Sequence, residues 1–205
     1  MKLFLASNNA HKAAELAALA ARDGLSVEII SARAVGGMPP VVEDAGTFIG
    51  NARKKARALQ LRLAADAATT GAWALADDSG LCVDALGGAP GVESANYAGL
   101  GAGDAANLTK LVAAMRNVPE AKRGAQFCCV LLLAGPGGEE QVCEGRCAGH
   151  LLREPRGTEG FGYDPLFMPE GHTRSFAEMS AAEKNLLSHR ARAWSALASW
   201  MRCRQ

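Results

Sequence analysis

Residues 72–83 read AWALADDSGLCV and place two acidic residues at the end of an apolar run. Residues 72–76 are typical of a buried strand, and residues 81–83 predict its continuation after a break. Adjacent strand residues point to opposite faces, so Asp77 and Asp78 can serve one site only if the chain turns there. We therefore predict a turn at Ser79 and Gly80 that presents both carboxylates. A solvated turn without a function is the alternative, which the apolar flanks disfavour.

The segments on either side of this stretch alternate between strand and helix patterns. Strands are predicted over residues 2–6, 25–30 and 166–168, and a hairpin over residues 127–134 and 141–147. Helices are predicted over residues 10–22, 47–66 and 105–115, the last capped by Asp104, and a capping box of Ser180 and Glu183 precedes a C-terminal helical region. This order predicts an α/β protein with a mixed central β-sheet flanked by helices. We expect one folding unit over residues 1–205, built as two lobes with a cleft between them.

The composition is that of an ordinary globular protein. Of the 205 residues, 49% are hydrophobic and 21% are charged, and the formal net charge is +1. Such a chain is too apolar for a disordered protein, and its charge argues against nucleic acid as the main partner while allowing a small phosphorylated ligand. No stretch approaches the roughly 18–20 apolar residues that span a bilayer, and the first residues lack a signal-peptide pattern. We therefore expect a cytoplasmic protein with no membrane partner.

The cysteines are expected to be reduced thiols. Cys82, Cys128 and Cys129 lie in apolar runs, where a thiol behaves as a small buried hydrophobic group. Cys143 and Cys147 are four residues apart, and no CxxC pair is present. A structural zinc site is therefore disfavoured.

Residues 7–12 read SNNAHK and follow the first predicted strand directly. A turn from a strand into a helix presents backbone N–H groups at the positive end of the helix dipole, which favours an anion there. Phosphate binding is therefore one interpretation of this segment, and a plain N-cap by an asparagine is the other. The candidate phosphate-binding residues are Ser7, Asn8, Asn9, Ala10, His11 and Lys12.

Asp78 and Glu43 are candidate ligands of a hard cation. Magnesium prefers oxygen ligands and takes one or two carboxylates plus substrate phosphates. Glu43 precedes the second predicted helix and is a candidate second carboxylate, although the sequence alone does not place it near Asp78.

Two segments in the last quarter of the chain carry further candidates. The loop of Phe161, Gly162, Tyr163 and Asp164 combines two aromatic rings and an acid. This combination suits either a base-binding pocket or a hydrophobic anchor of the loop. Ser188 is a candidate cap of a new helix, and the basic residues near it either face an anionic or carbonyl acceptor or form an exposed helix face. They are Lys184, His189 and Arg190.

Together, these segments resemble the inosine/xanthosine triphosphate pyrophosphatase family, which acts on non-standard purine nucleoside triphosphates. The matching blocks are SNNAHKAAEL at 7–16, EDAGTFIGNA at 43–52, LADDSGLCVDALGGAPGVESANYAG at 75–99, GFGYDPLFMPEG at 160–171, FAEM at 176–179 and EKNLLSHR at 183–190. They occur in the expected order over nearly the whole chain, which makes a chance similarity implausible.

The resemblance implies a Mg²⁺-dependent, cytoplasmic homodimer with a nucleotide-binding cleft. Its reaction would cleave the bond between the α- and β-phosphates and release a nucleoside monophosphate and pyrophosphate. By this resemblance, residues 7–12 would hold the triphosphate, Asp78 would bind the metal and accept a proton from the attacking water, and Glu43 would be a further ligand. Asp77 would support the site and Ser79 would touch the substrate. The base and phosphate contacts would come from Phe161, Gly162, Tyr163, Asp164, Lys184, His189 and Arg190.

Hydrogen bonding explains how such a site would select its base. Hypoxanthine and xanthine carry a 6-oxo acceptor where adenine carries an amino donor. Donors such as His189 and Arg190 would pair with the oxo group and leave adenine unmatched. A closed pocket at the 2-amino position is expected to exclude guanine.

Two positions depart from the family pattern, which often has an acid where this chain has Gly50 and an arginine where it has Asn96. Neither is among the metal or phosphate candidates, so we expect activity to be retained. Two alternative functions stay open at this point. One is a catalytically silent sensor that binds purine nucleotides, and the other is a related triphosphate pyrophosphatase with a different base preference.

Overall fold

One mixed β-sheet of six strands runs through the computed structural model, which describes residues 1–204. The strands are β1 (Lys2–Leu5), β2 (Glu28–Ser31), β3 (Trp73–Val83), β4 (Gly124–Ala134), β5 (Glu140–Leu151) and β6 (Phe167–Pro169). Their order across the sheet is β2-β1-β3-β4-β5-β6. The α-helices are α1 (Ala10–Arg22), α2 (Phe48–Ala64), α3 (Gly103–Met115), α4 (Ala181–Leu187) and α5 (His189–Arg202).

Strand pairing in the sheet is parallel at one end and antiparallel at the other. β1 pairs in parallel with β2 and with β3, and the connections between these strands contain α1 and α2. β5 pairs antiparallel with β6. Only residues 135–139 join β4 to β5, a link too short for a parallel crossover. The predicted α/β class with a mixed sheet is therefore confirmed, and so is the hairpin.

The turn predicted after Asp78 is wrong, because β3 continues without interruption. Leu75 belongs to a core cluster with residues of α1 and α5, whereas Ala76 belongs to a cluster with residues of α2. The two-residue period of a strand therefore directs Asp77 to the α1 and α5 side and Asp78 to the α2 side. Adjacent carboxylates face opposite sides of one strand, and each has its own surroundings.

The described chain divides into two compact units, of which the first comprises Met1–Asp78, Cys129–Gly145 and the residues from Arg190 onward. On one face of its strands, α1 and α5 pack around the fully buried Trp194. On the other face, α2 buries an apolar stripe whose members recur at a helical spacing. These are Ala52, Ala56, Leu59 and Leu63.

The second unit comprises Ser79–Cys128 and Arg146–His189 and has an aromatic core. The ring centroids of Phe127 and Phe167 lie 4.8 Å apart in an edge-to-face arrangement, and Phe176 lies 5.1 Å from Phe167. Helix α3 adds Leu111 and Met115 to the same cluster. A single domain over residues 1–205 and a cleft between lobes stay predictions.

Capping contacts agree with the sequence at α4 but not at α3. Ser180 and Glu183 form the predicted capping box at the start of α4. The predicted cap of α3 by Asp104 is wrong, because Ala102 is the N-cap. The Asp104 carboxylate instead accepts a hydrogen bond from the Gly162 amide at 2.9 Å. Within residues 1–204, no helix is both long and apolar enough to cross a bilayer.

Arg123 links several segments of the second unit through backbone carbonyls. Its guanidinium is 1% exposed and donates to Leu151, Met115 and Leu152 at 2.7, 2.8 and 2.5 Å. We expect Arg123→Met to lower the free energy of unfolding by about 3 kcal/mol, because these buried carbonyls lose their donors. Urea unfolding at neutral pH measures the loss. The control is Arg153→Met at an exposed ion pair, which should cost less than about 0.5 kcal/mol; equal losses would contradict this account.

Candidate functional site

The predicted phosphate-binding segment forms the loop before α1 and the first turn of that helix. Asn9 is the N-cap, and its side-chain oxygen accepts a hydrogen bond from the Lys12 amide at 3.2 Å. The Ser7 hydroxyl oxygen accepts from the Asn9 amide at 3.1 Å. The N-cap interpretation is therefore confirmed, and phosphate binding stays a prediction. The exposed members of the segment are Asn8, Ala10 and His11.

Asp77 is fully buried and joins three elements of the first unit. Its Oδ1 lies 2.7 Å from Lys12 Nζ on α1, and its Oδ2 lies 2.6 Å from Arg190 Nε on α5. Burial by itself would raise the pKa of Asp77, but Arg190 and Lys12 hold it well below its usual range. Arg190 also forms an ion pair with Glu15, a residue that sequence analysis missed. The anionic acceptor predicted near Arg190 is therefore supplied by the protein itself, through the carboxylates of Asp77 and Glu15.

Asp78 faces the other side of β3 and meets a buried lysine. Its Oδ1 lies 2.6 Å from Lys55 Nζ, which also lies 3.0 Å from Glu43 Oε2 and donates to the Asp77 carbonyl at 3.1 Å. Asp78 Oδ2 is buried and has no hydrogen-bond partner within the described chain. Burial raises the pKa of Asp78 to about 6, although Lys55 acts in the opposite direction. The fold thus brings Glu43 and Asp78 to one ammonium group.

Lys55 is the central residue that sequence analysis missed. Its neighbours Arg53 and Lys54 carry partly exposed side chains, whereas Lys55 is 8% exposed. Burial would lower the pKa of Lys55, but the nearby carboxylates of Asp78 and Glu43 raise it. The available signal was its position in α2, because residues 52, 55, 56 and 59 share one face of a helix. A charged side chain on the apolar, buried face of a helix needs a partner of opposite charge that is also buried.

The two carboxylates fit a hard divalent cation. Glu43 and Asp78 supply the oxygen ligands that magnesium prefers, and Asp78 Oδ2 is a buried acceptor without a protein donor among residues 1–204. No group of three or more His, Cys, Asp or Glu side chains able to hold a metal occurs in that range. Two carboxylates nevertheless suffice where substrate phosphates and water complete the coordination.

In the second unit, Asp164 organises the loop predicted to bind the base. Its Oδ2 accepts a hydrogen bond from the Phe161 amide at 2.8 Å and lies 2.7 Å from Lys184 Nζ. The Lys184 ammonium also lies over the Phe161 ring, 4.9 Å from its centroid. The fold therefore brings together three of the predicted residues, an aromatic ring and a buried ion pair.

Other predicted residues of the second unit have structural contacts. The Tyr163 hydroxyl donates to the Ser94 carbonyl at 2.8 Å, and burial raises the pKa of that hydroxyl above its usual range. Tyr163 is also buried in the aromatic core, so it anchors its loop, and base binding by this loop stays a prediction. His189 begins α5 and stacks on Phe127, with 4.7 Å between ring centroids. Ser79 is half-buried on β3.

The two positions that depart from the family pattern differ in their surroundings. A Cβ at Gly50 would lie 2.5 Å from the Ala45 Cβ and 2.9 Å from the Thr47 hydroxyl oxygen. That hydroxyl caps α2 by accepting from the Gly50 amide at 3.1 Å. An acid at this position would therefore require a different loop. Asn96 is exposed at the end of a short helical segment, Gly91–Asn96.

Comparison with known proteins supports the resemblance noted in the sequence. A model described as the Ham1 family matches residues 3–200. A dITP/XTP pyrophosphatase from Opitutus terrae is 60% identical over 206 residues, covering 98% of this chain and 99% of its own. A protein of the same name from Streptomyces avermitilis is 49% identical over 193 residues, covering 94% of this chain and 93% of its own. The structure of a HAM1 protein from Coxiella burnetii matches with a TM-score of 0.84 and 39% identity over 98% of both chains.

Gly160 makes room for the Asp164 carboxylate. Its φ is +76°, and a Cβ there would lie 2.1 Å from Asp164 Oδ2. Gly162 has a φ of +62° and open space around its missing Cβ. Alanine strains the backbone at both positions, but only Gly160→Ala displaces the carboxylate from Lys184. We expect Gly160→Ala to cost about 2 kcal/mol or more beyond Gly162→Ala in urea unfolding, because it disrupts a buried ion pair. Equal losses for the two variants would refute this role.

Proposed function

Since the chain belongs to the Ham1 family, we propose that it hydrolyses the non-standard purine nucleoside triphosphates dITP, ITP and XTP. The products are the nucleoside monophosphate and pyrophosphate, and the reaction cleanses the nucleotide pool. Relatives 60% and 49% identical carry the name dITP/XTP pyrophosphatase. The observation that carries the proposal is the Asp78 carboxylate, with one oxygen on Lys55 and the other buried without a partner within residues 1–204.

The triphosphate is proposed to bind at the first turn of α1. The N–H groups of this turn and the helix dipole favour an anion. Lys12 adds a positive charge, and its Nζ is positioned by Asp77 Oδ1 at 2.7 Å. Splitting a phosphoanhydride depends mostly on positioning and charge neutralisation, so a fixed ammonium beside helix N–H groups suits the task. The residues assigned to this role are Ser7, Asn8, Asn9, Ala10, His11 and Lys12.

Glu43 and Asp78 are proposed to hold Mg²⁺. The bound ion would neutralise charge on the phosphate oxygens and polarise the bond that breaks. Lys55 keeps the two carboxylates together, because its ammonium contacts both of them. Asp78 Oδ2 is proposed to accept a proton from the attacking water, since an ionised carboxylate oxygen without a donor has lone pairs available.

The purine is proposed to bind residues of the second unit. Stacking on Phe127 fixes the orientation of the His189 ring, which would donate a hydrogen bond to the 6-oxo group of hypoxanthine or xanthine. Ser79, the loop of residues 161–164 and Lys184 complete the proposed contacts. Arg190 is assigned a positioning role, because Asp77 and Glu15 engage its guanidinium.

The assembly and location are also part of the proposal. We expect one enzyme domain over residues 1–205, acting as a homodimer in the cytoplasm. These expectations rest on the family resemblance. Light scattering of the purified chain measures the oligomeric state directly.

The reaction is tested by pyrophosphate release from dITP, ITP, XTP, ATP and GTP, with Mg²⁺ and then with a chelator. We expect release from the first three only, and we expect the chelator to abolish it, because the metal neutralises the phosphate charge. Equal release from all five would contradict the proposed base recognition. Binding without release would favour the silent sensor. With CTP and UTP added to the series, preferential release from these pyrimidine triphosphates would favour a related enzyme of different specificity.

Asp78→Asn tests the catalytic assignment. The substitution keeps the shape of the side chain but removes its charge and its capacity to accept a proton. We expect kcat for dITP to fall about 100-fold or more. The matched control is Asp44→Asn, since Asp44 is an exposed carboxylate paired with Lys54. Near-normal turnover by folded Asp78→Asn protein would overturn the assignment.

A further inference from the structure

Two cysteine side chains are in contact in the second unit, and neither belongs to the candidate functional site. Cys82 lies on β3 and Cys128 on β4, which are neighbours in the sheet, and their sulfur atoms are 3.9 Å apart. Cys82 is half-buried and Cys128 is buried. The Cys82 thiol is therefore the more accessible of the two to a small solute.

The surroundings favour the thiolate of Cys82. The contact with Cys128 lowers the pKa of Cys82 to about 7, and the positive charge of Arg146 acts in the same direction. A thiolate, rather than a thiol, is the nucleophile in reactions with peroxides and disulfides. These contacts therefore favour the thiolate of Cys82 more than that of an ordinary cysteine, although burial and Asp84 act in the opposite direction.

We propose that Cys82 and Cys128 form a redox-active pair, in which a peroxide oxidises Cys82 and Cys128 resolves the product to an intramolecular disulfide. This modification site is independent of the proposed pyrophosphatase activity, because it requires only the two thiols and an oxidant.

The chemistry balances with hydrogen peroxide as the oxidant. The Cys82 thiolate attacks one peroxide oxygen, the O–O bond breaks, and the leaving hydroxide takes up the thiol proton as water. Cys82 is then a sulfenic acid. The Cys128 sulfur attacks the Cys82 sulfur, the S–S bond forms, and the S–O bond breaks with release of a second water that carries the Cys128 proton. Two thiols and one peroxide thus become one disulfide and two waters.

The contact between the two sulfur atoms brings them close to the distance needed for a cross-link. To form the bond, the sulfur atoms must close from 3.9 Å to about 2.05 Å, by rotation of the side chains together with local adjustment of the two strands.

The other cysteines differ from the pair in burial and pKa, and these differences predict that peroxide oxidises Cys82 in preference to the buried thiols. Burial and the nearby carboxylate of Asp77 raise the pKa of Cys129 well above its usual range, and burial raises that of Cys143. Both therefore remain thiols at neutral pH. Cys203 is exposed. It serves as an internal reference for a thiol that peroxide reaches freely.

The test is peptide mapping of the full chain by mass spectrometry after treatment with hydrogen peroxide and alkylation of the remaining thiols. We expect a peptide that joins Cys82 to Cys128, lighter by two hydrogen atoms than its reduced parts, and its loss after dithiothreitol. Cys82 remaining alkylated while Cys203 is oxidised would overturn the proposal. Oxidation of Cys82 to sulfinic acid without the cross-link would overturn it as well.

Two variants in which serine, a residue of similar size, replaces one cysteine separate the roles of the two thiols. Circular dichroism confirms that each variant is folded. In Cys128→Ser, Cys82 should be trapped by dimedone as a sulfenic acid and proceed to a sulfinic acid that dithiothreitol does not reverse. In Cys82→Ser, Cys128 should stay reduced. Reversible oxidation of Cys82 to the same extent in Cys128→Ser as in the parent chain would show that Cys128 is not the resolving thiol.

Discussion

The first unit is organised around one buried negative charge, the carboxylate of Asp77. A buried carboxylate is costly unless cations and hydrogen bonds compensate it. Lys12 from α1 and Arg190 from α5 supply that compensation on β3. The requirement to satisfy this charge therefore fixes two helices against one strand. It also places the first turn of α1, with its N–H groups and lysine, beside the strand that carries Asp78.

The alternation of side chains along β3 gives two adjacent carboxylates opposite properties. Asp77 has full compensation, and its pKa lies well below the usual range. Asp78 is paired at one oxygen only, and burial raises its pKa to about 6. The difference arises from environment alone, since the two side chains are chemically identical. A strand without a turn thus separates a structural acid from a candidate catalytic acid.

Part of the candidate site could be predicted because its residues lie in short segments whose local residue types indicate their contacts. The N-cap at Asn9 and the capping box at Ser180 follow from local residue types, and the structure confirms both. The role of Lys55 was missed because its partner, Asp78, lies 23 residues away and on another element. The cap at Asp104 was mispredicted because a distant amide, that of Gly162, competes for its carboxylate.

The sequence by itself determined the α/β class, the order of its main elements and the family, because periodic apolar patterns and ordered motif blocks are local properties of the chain. Only the tertiary structure decided which acidic side chain pairs with which basic one. Arg190 pairs with Asp77 across 113 residues, and Lys55 gathers Glu43 and Asp78 from two different segments. Such pairings depend on the distances and burial that packing creates, and residue spacing along the chain contains neither.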